Sequence, residues 1–168
     1  EKFDMVVLQH EIPLETVHYV IEFCYEKGIK IVLNPAPAAA VPMEIIDKVT
    51  YVTPNEHEAV LIFGDKLSTE DLLRKYPEKL VITQGSRGVS TCLKDGRILN
   101  IPARKAQVVD TTGAGDTLNG AFSVQIAEGK AIEDALTYAN VAASLSTEKF
   151  GAQTGMPTAE EVETELKK

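Results

Sequence analysis

Short apolar runs alternate with segments of helical periodicity along this chain. Runs of three to five mostly apolar residues, suited to buried parallel strands, occupy Met5–Leu8, 29–33, 51–53 and 80–83. Between and after them, apolar residues recur at helical spacing over 13–27, 44–48, Glu56–Phe63 and Thr69–Lys75. Strands that alternate with helices form right-handed βαβ units, so the pattern predicts an α/β fold with a mainly parallel sheet and helices on both faces.

Local signals predict where several of these helices begin and end. Gly28 is expected to stop the first helix. Ser68 with Asp71 three residues later is an acceptable variant of the capping box for the helix that follows. Thr158 with Glu161 predicts the start of a last amphipathic helix.

The second half of the chain begins with a hairpin signal and continues as helix. Asp95-Gly96 lies between the strand-like segments 89–94 and 97–101, which predicts a two-residue hairpin loop. Two long helical segments follow, roughly over 117–128 and 132–149.

Composition narrows the class of protein. The chain has 168 residues, 44% hydrophobic and 25% charged, which is enough for one α/β domain over 1–168 with its own core. The net charge of −8 argues against a nucleic-acid or anionic-membrane surface, and no apolar run could span a bilayer. The chain begins without Met and runs straight into a strand, as expected of a sequence entered in mid-domain.

Cysteine and histidine spacing offers no metal site. Cys24 and Cys92 are expected to be buried thiols in a reducing cytoplasm. His10, His18 and His57 are interpreted as surface or half-buried residues, since their spacing suits no metal ligand set.

The segment 110–122 carries the most chemical information. Asp110 and Asp116 bracket a glycine-containing turn that runs into an apolar helix. Free N–H groups at such a helix start bind anions, and a carboxylate there suits proton removal from a hydroxyl that attacks a phosphate. The alternative is that Asp116 is a plain helix cap. The segment is neither a Walker A loop, because no Lys-Ser/Thr follows the glycines, nor a Gly-x-Gly-x-x-Gly fingerprint.

Several segments together resemble the ribokinase-like (PfkB) carbohydrate kinases. Segment 110–116 is similar to the family signature Asp-Thr-x-Gly-Ala-Gly-Asp. The further matches are the Asn-Pro-Ala-Pro-Ala of ribose-specific members, the Asn-x-x-Glu motif, the nucleotide loop and a loop after the last long helices, at 34–38, 53–59, 83–88 and 151–153. The resemblance implies a ribokinase-like three-layer α/β/α fold, of which this chain is the C-terminal, nucleotide-binding part. The family's first strands, its small β lid and its Gly-Gly sugar motif are not found.

The resemblance implies ATP-dependent phosphorylation of a sugar hydroxyl, with D-ribose giving D-ribose 5-phosphate as the expected reaction. Asp116 would be the general base, and the backbone of Gly113, Ala114 and Gly115 the anion hole. The alternatives are a nucleotide-binding fragment without catalysis, a kinase for another acceptor such as fructose or adenosine, and an interaction domain that binds no nucleotide.

Nucleotide contacts follow from the same resemblance. They are expected at Asn55, Thr83, Gln84, Gly85, Ser86, Arg87, Gly88, Gly115, Asp116 and Asn140. The loop after the strand could instead be a simple β-turn, and Asn140 could satisfy a neighbouring group.

Two cations are implied as well. Glu58 would hold Mg²⁺ through water beside the phosphates, although Asn55 and Glu58 could simply be a helix start with an acidic first turn. A monovalent cation, usually K⁺, would be held at Asp110, Thr112, Ser146, Lys149, Gly151 and Gly155. Gly155 departs from the family, where a hydroxyl is common.

The acceptor side is represented by Glu11 and Asp116, which the resemblance places at the sugar. The alternative for Glu11 is a surface acid shortly before Pro13. The partners are therefore a small sugar and ATP, and the parent kinase is expected to be a cytoplasmic homodimer.

Overall fold

The computed structural model of the protein describes residues 3–168, which fall into two compact units. The first unit comprises the chain up to Gln84 together with Ser90–Leu99. The second comprises Gly85–Val89 and Asn100–Lys168. The single domain over 1–168 stays a prediction.

Strands and helices alternate through the first part of the chain, as the apolar pattern predicts. The elements in chain order are β1 Met5–Leu8, α1 Leu14–Glu26, β2 Lys30–Leu33, α2 Met43–Lys48, β3 Tyr51–Val52, α3 Glu56–Phe63, α4 Thr69–Lys75 and β4 Val81–Thr83. They are followed by β5 Val89–Cys92 and β6 Ile98–Ile101.

The strands β1, β2 and β3 form a parallel sheet in that order. Leu8 pairs with Leu33, Leu33 pairs with Val52, and a parallel bridge joins Val52 to Leu80 just before β4. The predicted parallel arrangement is therefore confirmed here. Because these strands point the same way, their carboxyl ends share one edge. A second sheet has the order β4-β5-β6.

Buried aliphatic side chains form the core of the first unit. Those with almost no exposed surface include Val17, Ile21, Ile31, Leu33, Ile46, Leu73, Leu80 and Ile82. Each of the leucines and isoleucines contributes about 1.5–3 kcal/mol through burial. Cys24 and Cys92 are also buried, with free thiols, as predicted.

The end of α1 explains why β2 begins one residue later than predicted. Gly28 adopts φ +67°, which confirms it as the helix stop. The N–H of Ile29 donates to the Cys24 carbonyl at 2.9 Å, so Ile29 belongs to the closing turn of the helix.

Five residues separate β5 from β6, and a hydrogen bond between Leu93 and Arg97 closes a three-residue turn within them, so the predicted two-residue hairpin loop is wrong. Leu93 N–H donates to the Arg97 carbonyl and Gly96 N–H to the Leu93 carbonyl, each at 2.9 Å. Gly96 adopts φ +85°, which completes a turn of the three-residue type.

The second unit is mainly helical. After a single 3₁₀ turn at Gly85–Arg87, it contains α5 Ala114–Ala127, α6 Ile132–Ser146 and α7 Ala159–Leu166. Helices α5 and α6 pack against each other. Their buried apolar residues are Leu118, Phe122, Ile126, Ala135, Leu136, Ala139 and Ala142.

Each long helix differs from the prediction mainly at one end. Helix α5 begins at Ala114 rather than near 117, because Gly113 takes the left-handed conformation and the chain turns helical at once. Helix α6 ends at Ser146 rather than at 149. The carbonyl of the next residue, Thr147, accepts N–H groups of Val109 and Asp110 instead of continuing a helical ladder.

The last helix begins as predicted. Thr158 accepts the N–H of Glu161, and the Glu161 carboxylate accepts the N–H of Thr158 at 2.7 Å, which is a complete capping box. No helix among residues 3–168 is long and apolar enough to cross a membrane.

Candidate active site

The N-terminus of α5 depends on a glycine, because a residue with a side chain would not fit at its N-cap position. Gly113 is the N-cap with φ +79°. A β-carbon there would lie 3.0 Å from both the Cα and the Cβ of Ala152. A left-handed backbone and a close neighbour therefore both require glycine at this position.

Asp116 lies in the first turn of α5, as its third residue, and is exposed. It is not the N-cap, since Gly113 holds that position. The plain-cap interpretation of Asp116 is therefore wrong. Within the second unit, no hydrogen bond or ion pair of the described residues engages its carboxylate, which leaves both oxygens available to a substrate.

The backbone donors of the predicted anion hole are not equivalent. The N–H of Ala114 already donates to the Thr111 carbonyl, at 3.2 Å. The N–H groups of Gly115 and Asp116 belong to the first turn, where a helix supplies no acceptor. They lie at the positive end of the helix dipole and can meet an anion there.

Asp110 is held by the chain on both sides. Its Oδ1 accepts the N–H of Thr112 and its Oδ2 accepts the N–H of Gly151, each at 2.9 Å. Hydrogen bonds from the Thr112 side chain and backbone and from the Gly151 backbone hold the pKa of Asp110 below its ordinary value. The carboxylate is therefore ionised at neutral pH and joins two loops.

Three carbonyl oxygens converge on Gly155. A β-carbon at Gly155 would lie 2.7 Å from the oxygens of Ser146 and Gly151 and 3.4 Å from that of Lys149. The Lys149 ammonium itself pairs with Glu161 at 3.1 Å. The structure thus brings the carbonyls of three predicted cation ligands together, and that of Gly151 also accepts the Gly155 N–H at 2.8 Å. Asp110 contacts this loop through the Gly151 N–H, and Thr112 through its own bond to Asp110. Clustered carbonyl oxygens are a donor set that fits a hard cation such as K⁺.

The predicted nucleotide loop contains a 3₁₀ turn over Gly85–Arg87, which is close to the simple β-turn of the alternative interpretation. Gly88 N–H donates to the Gly85 carbonyl at 2.9 Å, with Ser86 and Arg87 exposed between them. Gly88 has φ +91°, and a β-carbon there would clash with the backbone of 101–103. The loop is therefore pressed against the chain that follows β6.

Asn140 meets the same stretch of chain. It is 5% exposed, and its Nδ2 donates to the Pro102 carbonyl at 2.8 Å. The geometry supports the alternative that Asn140 satisfies a neighbouring backbone group. Through the segment 101–103 the structure brings Asn140 and Gly88 to one region of the second unit.

In the first unit, Asn55 and Glu58 form the start of α3. Glu58 N–H donates to Asn55 Oδ1 at 2.9 Å, and Asn55 N–H donates to Glu58 Oε2 at 2.8 Å. Glu58 is only 6% exposed. The helix-start interpretation is thus confirmed as a capping box, which occupies Glu58 Oε2.

The carboxyl ends of β3 and β4 are joined next to this helix start. Asn55 pairs with Thr83 in a parallel bridge, and Thr83 N–H donates to the Pro54 carbonyl at 3.0 Å. Gln84 follows, and its Oε1 accepts the hydroxyl of Ser90 at 2.6 Å. Ser90 is a contact that sequence reasoning missed, because nothing in the spacing of 84 and 90 relates them.

The carboxyl ends of β1 and β2 carry Glu11 and Asn34. Glu11 is exposed, whereas Asn34 is buried with its N–H on the Leu8 carbonyl at 2.9 Å. His10 is 8% exposed, so interpreting it as a surface or half-buried residue is wrong. Among residues 3–168, no three or more His, Cys, Asp and Glu side chains form a group suited to a metal ion.

Comparison with known proteins identifies the family to which the chain belongs. The model of the pfkB family of carbohydrate kinases matches residues 1–159. Ribokinase of Bacillus subtilis is 54% identical over 163 residues, which are 97% of this chain and 55% of that protein. The chain thus spans about half the length of the curated relatives it matches.

Solved structures similar to this chain also include ribokinases. Ribokinase from Thermotoga maritima is 36% identical with a TM-score of 0.86, over 98% of this chain and 57% of that one. Arabidopsis thaliana ribokinase, solved with ribose and ATP, is 30% identical with a TM-score of 0.87, over 98% and 56%. The predicted ribokinase-like α/β/α fold is thereby confirmed, and this chain belongs to the pfkB family of carbohydrate kinases.

Proposed function

We propose that this chain is the catalytic and nucleotide-binding portion of an ATP-dependent kinase that converts D-ribose to D-ribose 5-phosphate. The observation that carries the proposal is the start of α5, where first-turn N–H groups and the unengaged carboxylate of Asp116 stand together. Ribokinases among the similar proteins support ribose as the acceptor. The homodimeric parent and its place in the cytoplasm stay predictions.

In this reaction the first-turn N–H groups of α5 stabilise the charge that develops on the transferred phosphoryl group. Asp116 accepts the proton of the attacking hydroxyl, which makes the oxygen a better nucleophile. Loss of one such N–H donor in other enzymes costs about 3–4 kcal/mol of transition-state stabilisation. Gly115 and Asp116 supply the donors that lack a helical acceptor.

The remaining site residues bind and orient. Thr83, Gln84 and the loop 85–88 would line the nucleotide. Asn140 would contact it as well, and its bond to Pro102 lies in the segment against which Gly88 packs. Glu58 and Asn55 would organise Mg²⁺, which neutralises phosphate charge when bound. Glu11 would contact the sugar.

The first experiment measures ADP release from Mg-ATP with and without D-ribose, in potassium and in sodium buffer. Ribose-dependent release, faster in potassium, is the expected result. ATP binding by calorimetry without ADP release would instead identify a nucleotide-binding fragment. This alternative outcome is worth testing because the chain spans only 55% of the Bacillus subtilis relative. Absence of both ATP binding and release would overturn the proposal.

Gly155→Ala is expected to abolish the advantage of potassium over sodium. Gly155 has no left-handed φ, so alanine adds only its methyl group, which would occupy the space onto which three carbonyl oxygens converge. The measurements are the potassium-to-sodium ratio of ADP release and the difference in melting temperature between the two salts. Both are expected to vanish in the variant.

Gly120→Ala is the matched control, because a β-carbon there meets nothing within 4 Å. It should keep the potassium dependence of the parent. A Gly155→Ala protein that still melts at a higher temperature in potassium would show that the cation binds elsewhere.

A further inference from the structure

His10 lies at the carboxyl edge of β1, directly before Glu11. Its backbone N–H donates to the Ala36 carbonyl at 2.8 Å. Its ring Nδ1 lies 3.2 Å from the Pro37 carbonyl oxygen. One residue therefore holds two consecutive carbonyls of the loop that follows β2.

The bond to Pro37 fixes the state of the ring. A carbonyl oxygen can only accept, so Nδ1 carries the proton and, in the neutral ring, Nε2 does not. Within the described part of the chain, His10 Nε2 is buried and has no hydrogen-bond partner. The second N–H of a charged ring, at Nε2, would therefore have no hydrogen-bond acceptor among the described residues.

Two other titratable groups act on the ring, His18 from α1 and Glu58 from α3. Burial is the largest influence and lowers the pKa of His10, and His18 lowers it further, while the bond to Pro37 and Glu58 oppose them. The ring is accordingly neutral at pH 7, in the tautomer that the loop requires.

We propose that His10 is a positioning residue that fixes the sugar-binding carboxylate of Glu11 by tying the end of β1 to residues 36–37. This inference rests on the proposed function, in which Glu11 contacts the acceptor. The two bonds of His10 restrain the backbone immediately before Glu11, while the Glu11 side chain stays exposed. Restraint of this kind matters because a displacement of about 1 Å in a binding group can cost roughly a hundredfold in rate.

The test compares substitutions that keep or remove the ring donor. His10→Leu removes it, and is expected to raise the KM for ribose by about tenfold or more while the KM for ATP stays unchanged. His10→Asn places an amide nitrogen at the same number of bonds from the backbone as Nδ1, and should recover most of the ribose affinity. A His10→Leu enzyme with the parental KM for ribose would overturn the inference.

A second variant keeps the test valid if His10→Leu does not fold. His10→Gln moves the donor one bond farther out and should behave like His10→Leu rather than like His10→Asn. Equal ribose KM values for His10→Asn and His10→Gln would contradict a positional role.

Two readouts do not depend on turnover. Long-range ¹H–¹⁵N spectra of the parent chain should show the Nδ1–H tautomer of His10, and the Nε2–H tautomer would overturn the inference. Amide exchange at residue 10, whose N–H acceptor is Ala36, should be slow in the parent and in His10→Asn but faster in His10→Leu. A parent that shows this tautomer and protection but never phosphorylates ribose would defeat the proposed function and leave His10 as a restraint on Glu11 alone.

Discussion

Replacing Asp116 by asparagine is expected to lower ribose-dependent ADP release by about 10²- to 10⁴-fold, the range that general acid–base catalysis contributes. The amide keeps the size of the side chain but cannot take the proton of the attacking hydroxyl. ATP affinity, measured by calorimetry, should stay the same or increase, because the substitution removes a negative charge beside the phosphate-binding N–H groups.

Asp134→Asn is the matched control. Asp134 is the third residue of α6, as Asp116 is the third residue of α5, and both are exposed. Each substitution removes a favourable carboxylate–dipole interaction of about 0.3–1 kcal/mol. Only Asp116→Asn should affect turnover. If both variants keep parental turnover, Asp116 merely stabilises its helix.

Gly88→Ala is expected to lower the free energy of unfolding by about 3–5 kcal/mol, through a left-handed backbone and overpacking together. The β-carbon would meet the Ile101 carbonyl oxygen, lie 2.6 Å from the Ala103 nitrogen and lie 2.8 Å from the Pro102 carbonyl carbon. All of these are backbone atoms, which cannot rotate away as a side chain can. Urea unfolding measures the loss, and calorimetry should show weaker ATP binding as the loop 85–88 shifts.

Gly129→Ala separates the two causes. Gly129 has φ +82°, close to that of Gly88, but a β-carbon there meets nothing within 4 Å. It should cost only about 1–2 kcal/mol, the penalty for a left-handed residue with a side chain. Equal losses for the two variants would show that the clash at Gly88 is relieved by movement of the chain.

The order and type of elements in the first unit follow from its apolar runs. Glu56–Phe63 and Thr69–Lys75 have the predicted bounds, because periodicity and a capping residue agree at each start. The start of α5 is different. Its helix begins at Ala114, inside a glycine-containing stretch that propensity alone would assign to a turn.

Parts of the candidate site depended on contacts that sequence spacing does not record. His10 and Pro37 are 27 residues apart, and Asn140 and Pro102 are 38 apart. Their acceptors are backbone carbonyls, which every residue type possesses. No residue pattern could therefore indicate that these side chains would be occupied.

The family resemblance indicated which residues to place in the site, whereas the structure decided what several of them bind. Glu58 is a case in point, because its Oε2 serves the helix start of α3. Asp110 is another, since both of its oxygens accept backbone N–H groups. Chemical assignments to these carboxylates have to leave room for those bonds.

The oxygens that converge on Gly155 have an evolutionary consequence. They belong to the main chain, so exchanging Ser146 or Lys149 for another amino acid deletes no carbonyl, whereas Gly151 is held to glycine by its left-handed φ of +91°. Substitutions at 146 and 149 therefore keep the carbonyl oxygens of those residues, whereas a single methyl group at 155 fills the space between the three oxygens. Selection for such a cation site would therefore preserve glycine at 155, the residue that has no side chain there, more strictly than the residue types at 146 and 149.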